Sequence, residues 1–259
     1  MNRIQIITDS TGDLSLEIIK EKNIAVIPLY VVFEGKAYKD GVEISTMDLY
    51  EKVNETGELP KTSAPTPADF FNTFKMYIDE GKDIVYIGLS SRLSATIQNA
   101  KIAAAEFPKG RIHIIDSLNL SSGIGLLALQ AADYVEVGMK SEEIAEKIRE
   151  MVPRVKSFFA IDTLDYLKKG GRCSSMQNLI GNMFKIKPIL KVIDGKIILY
   201  KKIRGKRKKI LDTLIEEILM DKDKLQLNRI TIIHTLAPDD LLYLKEKLLN
   251  TIDFKEIIS

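Results

Sequence analysis

The sequence predicts an α/β fold, with an N-terminal parallel, Rossmann-like domain and a smaller C-terminal α+β domain containing antiparallel sheet. Three observations lead there. Short β-rich runs alternate with helical patterns over the first 155 residues. Three of those runs are nearly continuously apolar, as expected of strands covered on both faces. Beyond that point ILKVIDGKIILY (189–200) sets Asp194-Gly195 between two apolar runs, a strong hairpin signal.

Taken in order, RIQIITD (3–9), IAVIPLYVVF (24–33), DIVYIGL (83–89) and RIHIIDS (111–117) read as strands. Between them LSLEIIKEK, PADFFNTFKMYIDE and SATIQNAKIAAAEF repeat apolar residues at helical spacing, so βαβ units and a mostly parallel sheet follow. Residues 34–60 are charged and interrupted by Gly35, Gly41 and Gly57; they read as an excursion from the sheet with one helix near 46–56. Residues 138–157 predict a last helix, with Ser141 as N-cap and Glu142 and Glu143 in its first turn. The domain boundary is placed there, giving 1–155 and 156–259. In the second domain ILDTLIEEILM and DDLLYLKEKLL are amphipathic helices on either side of the strand RITIIHT.

Composition bounds the function. The chain has 259 residues and a formal charge of 38 − 36 = +2, too small for nucleic-acid binding by overall electrostatics. MNRIQIITDS reads as a strand rather than a leader, and no run of 18 apolar residues exists, so no membrane span is expected. The single Cys173 excludes an internal disulfide framework and fits a reducing cytoplasm. With two histidines and one cysteine, a structural zinc site is not expected; no metal and no cofactor is expected.

The candidate chemistry lies in hydroxyl clusters. IGLSSRLSATIQNA (87–100) ends an apolar run in Ser90, Ser91, Ser94 and Thr96 just before a helical pattern. A serine-hydrolase elbow needs G-x-S-x-G, whereas G-L-S-S-R stands here, and both His113 and His234 lie inside apolar strand patterns. No phosphate-binding G-x-x-x-x-G-K-[ST] occurs, and the GIG at 123–125 follows a serine-rich turn rather than a strand. Anion gripping fits better. ITDST (7–11), LSSRLS (89–94) and IDSLNLSS (115–122) all end predicted parallel strands, where ligands of open α/β sheets gather, and KTSAPTP (61–67) adds Thr62 and Ser63. Helix capping competes for each of these residues, because Ser, Thr and Asp are also the preferred N-caps.

KKIRGKRKK (201–209) holds seven basic residues in nine, open to reading as a solvated face, a dock for an acidic protein or a nucleic-acid patch. Gly170-Gly171 permit a tight turn before Arg172. MQNLIGNMF places Met176, Leu179, Ile180, Met183 and Phe184 on one helical stripe, suited to plain core or to a lipid tunnel.

The ordered set TDSTGDL (8–14), IPLYV (27–31), KTSAPTP (61–67), LSSRLSAT (89–96), IDS (115–117), YLKKGGRCS (166–174) and IKPIL…DGKI (186–197) resembles the DegV family of bacterial fatty-acid-binding proteins. That resemblance implies two domains with one long-chain acyl chain buried between them, and no catalysis by the chain itself. It implies an ATP-dependent fatty-acid kinase as partner, which phosphorylates the presented carboxylate to an acyl phosphate for phospholipid synthesis. Carried over, Thr62 and Ser94 are the carboxylate ligands, with Ser63, Thr96, Asp9 and Ser10 as neighbours. Arg172 and Arg204 lie where kinase contacts are expected, and the stripe from Met176 to Phe184 would line the tunnel. Ala64 stands where the family usually has glutamine, and Ala95 where it usually has glycine. The family's last strand and its G-x-H-x-G-P-G turn, whose histidine helps hold the carboxylate, have no counterpart before Ser259. A small-molecule enzyme acting on a carboxylated or phosphorylated substrate at the same sheet edge is the alternative, and a DNA-associated regulator working through 201–209 the third reading.

Overall fold

The computed structural model describes residues 3–172 and 186–259, which fall into two compact units. The first holds 3–155, 165–172 and 193–196; the second holds the remaining described residues.

The first unit is built on a four-stranded parallel sheet. In chain order it contains β1 (Ile4–Asp9), a 3-10 turn (Ser10–Gly12), α1 (Leu16–Glu21), β2 (Ile24–Ile27), β3 (Tyr30–Phe33), β4 (Lys36–Lys39) and α2 (Thr46–Thr56). There follow β5 (Lys61–Ser63), α3 (Pro67–Asp79), β6 (Asp83–Gly88), α4 (Thr96–Ala104), β7 (Ile112–Asp116), α5 (Ser122–Glu136) and α6 (Ser141–Met151). The parallel sheet runs β2-β1-β6-β7, so β6 is central. Its apolar run is buried from Ile84 to Gly88, which is why the sequence shows no alternation there. Ile84 and Tyr86 join Ile7, Phe70, Phe74, Ile97 and Ala100 in one cluster beneath α3 and α4. Val85 and Ile87 alternate to the other face, where α5 and α6 pack. Tyr86 meets Phe70 edge-on with centroids 5.2 Å apart.

The predicted strand 24–33 is two strands. Pro28 has no N–H to continue the ladder, and Leu29 instead donates its N–H to Ser10 Oγ at 3.1 Å. The chain then leaves the parallel sheet. β3 pairs antiparallel with β4 and with β5, forming a separate three-stranded sheet over the residues read as an excursion. Ser45 caps α2 through a reciprocal capping box with Asp48. Ser141 is not the N-cap of α6: Lys140 occupies that position, and Ser141 Oγ donates to Asp83 Oδ2 at 3.1 Å.

In the second unit β8 (Phe158–Ala160), β9 (Lys187–Ile193) and β10 (Lys196–Ile203) form a sheet in the order β10-β9-β8, β8 and β9 being antiparallel. The Asp194-Gly195 turn of the β9–β10 hairpin takes φ of +48° and +76°, as a two-residue hairpin loop requires. The unit continues with α8 (Arg207–Met220), β11 (Arg229–Thr231), α9 (Pro238–Leu249) and β12 (Glu256–Ile258). β11 and β12 pair in parallel rather than antiparallel. Strand structure stops at Thr231, so His234 is an exposed loop residue whose Nδ1 accepts the Ala237 N–H at 3.1 Å, not the strand histidine expected. α7 (Asp165–Lys169) belongs to the first unit, where Tyr166 stacks edge-on against Tyr50 at 6.4 Å.

Candidate functional site

At the carboxyl ends of β1, β6 and β7 the three hydroxyl clusters meet as neighbours. Their order follows from one repeated local motif. Both β1 and β7 end in an Ile-Ile pair and an Asp-Ser pair, with Thr8 between them in β1, Ile6-Ile7-Thr8-Asp9-Ser10 and Ile114-Ile115-Asp116-Ser117, and they flank β6. Each aspartate turns its own chain by accepting the N–H two residues on, Asp9 from Thr11 (3.1 Å) and Asp116 from Leu118 (3.0 Å). Each then reaches inward to the loop after β6: Asp9 Oδ2 accepts Leu89 N–H at 2.8 Å, and Asp116 Oδ1 accepts Ser91 N–H at 3.2 Å. The loop carrying the serines is clamped from both sides.

Asp9 is not available to a ligand. It is 1% exposed, and besides Leu89 it accepts from Thr11 N–H, Thr11 Oγ1 and Tyr86 OH. Burial raises its carboxyl above the usual aspartate value, and the donated hydrogen bonds offset part of that rise. Gly88 is required by the same network, because a Cβ there would overlap the Tyr86 hydroxyl. Ser10 is likewise committed, to Leu29 N–H.

The residues around α4 are different. α1, α2 and α3 start on Ser15, Ser45 and Thr66, each accepting a backbone N–H, whereas α4 starts on Ala95 with no side-chain cap, as α5, α8 and α9 also start without one. Ser94 and Thr96 bracket that open end, their hydroxyls 2.7 Å apart, and Ser94 Oγ accepts Thr96 N–H at 3.3 Å. Ser94 is half-buried and Thr96 buried. An uncapped helix end with two adjacent hydroxyls supplies donors in the geometry that suits a carboxylate.

Thr62 and Ser63 lie on β5, opposite Val31 and Tyr30 of β3, and both are exposed. Thr62 makes no side-chain hydrogen bond to any described residue, while Ser63 Oγ makes only a 3.4 Å contact with Ala64 O. The segment after β5 is tied to α4 by Asn99 Nδ2 donating to Pro65 O at 2.8 Å. Thr62 and Ser94 are not hydrogen-bonded to each other. Two hollows, of about 210 Å³ beside Lys22 and Glu136 and about 200 Å³ beside Tyr30, Lys39 and Asp69, are lined by neither residue.

Arg172 is exposed and donates through Nε to Leu93 O at 3.0 Å, next to Ser94. Arg204 is exposed and pairs with no described residue. In the basic run Lys201 is paired with Glu217, and Arg207 with Asp162 and Asp240. Met176, Leu179, Ile180, Met183, Phe184 and Cys173 lie outside the described residues. Among the described residues no helix is long and apolar enough to cross a membrane, and no group of three or more His, Cys, Asp or Glu could hold a metal ion.

The sequence reading passed over Asp116 and Ser90 as structural anchors. The signal was present in the repeated Asp-Ser at two strand ends.

Compared with known proteins, residues 3–259 match the family model described as "Uncharacterised protein, DegV family". The chain belongs to the DegV family. A DegV domain-containing protein of Clostridium acetobutylicum is 40% identical over 253 residues, 96% of this chain and 88% of that protein. A Thermotoga maritima DegV relative named a fatty acid-binding protein is 36% identical over 224 residues, 85% of this chain and 77% of that one. Among solved structures, one described as "Fatty Acid Binding of a DegV family Protein from Thermus thermophilus" superposes with a TM-score of 0.91 at 29% identity, covering 99% of this chain and 91% of that one.

Proposed function

We propose that this chain binds one long-chain fatty acid, with its carboxylate held by Thr62 and Ser94 and neighboured by Ser63 and Thr96, and presents it to an ATP-dependent fatty-acid kinase. The observation that carries the reading is the uncapped start of α4 between the paired hydroxyls of Ser94 and Thr96, in a chain whose DegV relatives include fatty-acid-binding proteins. A third hydroxyl, on Thr62, has no competing partner among the described residues. Asp9 and Ser10 act one step back, by holding the loops.

The energetics suit a carrier. Burying the roughly fourteen methylenes of a palmitate-length tail yields on the order of 11 kcal/mol before association costs. The head-group donors need only replace the water a buried carboxylate loses, since leaving it bare is costly. No general base, metal or cofactor is needed for that, so the chain performs no bond chemistry, and the acyl phosphate forms on the kinase. Met176, Leu179, Ile180, Met183 and Phe184 are the proposed tunnel lining. Arg172 and Arg204 are the proposed kinase contacts, and the proposed domain division lies near residue 155.

Native mass spectrometry and solvent extraction of protein purified from a heterologous host test the reading. One fatty acid per chain is expected. Lipid-free protein that also refuses added palmitate and oleate rejects it, and turnover of simple acyl or phosphoryl esters by the chain alone supports the enzyme alternative instead.

A further inference from the structure

Ser90 sits midway between the two aspartate clamps and is fully buried. Every polar group it has is engaged. Its N–H donates to Asn119 O at 3.0 Å, and its carbonyl accepts the N–H of Leu93 (2.9 Å) and of Ser94 (3.1 Å). Its Oγ accepts Arg92 N–H at 3.2 Å and donates to Gly195 O at 2.8 Å. Gly195 forms the tip of the β9–β10 hairpin and is counted with the first unit. Two features make that position a glycine. Its φ is +76°, and a Cβ would run into Ser90 Oγ while lying 3.0 Å from Arg92 Cγ and 3.2 Å from Leu118 Cδ2.

The hydroxyl at 90 has its one donor committed to Gly195 O and lies fully buried, and by accepting Arg92 N–H it holds the turn whose Ser90 carbonyl bonds the Ser94 N–H. We infer that Ser90, clasping the Gly195 carbonyl, is the positioning residue of the head-group site: it fixes the turn that presents Ser94 and, through the 2.7 Å Ser94–Thr96 contact, the hydroxyl pair. This rests on the fatty-acid reading above. Without the Ser90 hydroxyl, the buried Gly195 O and the part-buried Arg92 N–H lose that partner, and the turn has lost its lock. The tail gains nothing from this clasp, so its loss falls on the head group.

The experiment compares palmitate with 1-hexadecanol, equal in chain length but lacking the carboxylate, by displacement of a fluorescent fatty acid from the full chain. Wild type is expected to prefer palmitate. Ser90→Ala is expected to weaken palmitate about tenfold and hexadecanol less than about twofold. Gly195→Ala is expected to do the same, and to cost less in the Ser90→Ala background, where the hydroxyl it strikes is gone. If Ser90→Ala fails to fold, Ser90→Cys keeps the branching with a slightly larger atom that donates weakly, and carries the same comparison. Equal weakening of both ligands, or additive effects in the double variant, overturns the inference. A wild type that prefers palmitate with a Ser90 variant that keeps the preference removes the inference alone; a wild type that binds neither ligand removes the fatty-acid reading with it.

Discussion

Asp9 and Asp116 occupy equivalent places at the ends of β1 and β7, yet the same substitution in each should have different consequences. Consider Asp→Asn, which keeps the shape and exchanges one acceptor oxygen for an NH2 donor. At Asp9, Oδ1 accepts Thr11 N–H and Thr11 Oγ1, and Oδ2 accepts Leu89 N–H and Tyr86 OH. The two hydroxyls can rotate and accept, but the backbone N–H groups cannot. Whichever way the amide flips, its NH2 faces a backbone donor. One part-buried N–H is left without an acceptor, a loss of about 1–3 kcal/mol, partly offset because a charge is no longer buried. We expect Asp9→Asn to cost about 2 kcal/mol, a fall of roughly 4–8 °C in Tm for a unit of this size. At Asp116 both backbone donors, Ser91 N–H and Leu118 N–H, share Oδ1, so an asparagine keeping its oxygen there retains both, at a cost below about 0.5 kcal/mol. Urea unfolding at constant m-value measures the difference. Amide exchange at Leu89 localises it, with about thirtyfold faster exchange expected in Asp9→Asn if the full loss is felt there. Equal costs at the two positions, or unchanged Leu89 exchange, would refute the clamp as described.

Three further outcomes are expected. His113 lies on β7 with Nε2 buried and unpartnered among the described residues; burial, then Arg149, push its pKa below the usual value, against the weaker opposing influence of Glu142 and Asp83. The unfolded chain takes up that proton more readily, so stability is present above about pH 6.5 and is lost as pH falls through the folded value, by at most about 1.4 kcal/mol per pH unit. His113→Leu should flatten that part of a stability–pH curve, and an unchanged slope would count against the assignment. In the second unit Glu217 is buried and accepts from Tyr200 and Lys201; burial works against its ionisation, but those bonds prevail and lower its carboxyl. Its contribution is present above the usual carboxylate range and fades as pH falls, and Glu217→Gln should cost about 1 kcal/mol at neutral pH in a denaturant melt, with Lys201 half exposed and screened. Ser94→Ala and Thr62→Ala should each weaken palmitate retention severalfold with little change in Tm, and unchanged binding in both would remove the head-group assignment while leaving the fold intact.

Much of the architecture was legible because it rests on period and punctuation. The buried strand Ile84–Gly88 and the Asp194-Gly195 turn carry signals that survive without tertiary context. What misled was local: the apolar run 24–33 looked like one strand, and only Pro28, which has no N–H for the ladder, followed by Leu29, whose N–H goes to Ser10 Oγ, shows where the chain changes sheets. Ser141 looked like a cap because capping is its commonest use, but Asp83 claims its hydroxyl. The candidate site was readable as composition and not as roles. Ser10, Ser90, Asp9 and Ser94 look alike in a string of small polar residues; hydrogen bonds to the distant Leu29, Gly195 and Leu89 mark the first three as anchors, whereas Ser94 Oγ bonds only to Thr96 among the described residues.

The most direct test is carbon NMR of palmitate labelled at its carboxyl carbon, bound to the wild type and to Ser94→Ala. A single resonance displaced from that of free palmitate, moving again in the variant, is the expected result. A bound carboxyl signal identical in wild type, Ser94→Ala and Thr62→Ala would place the head group elsewhere and contradict the account.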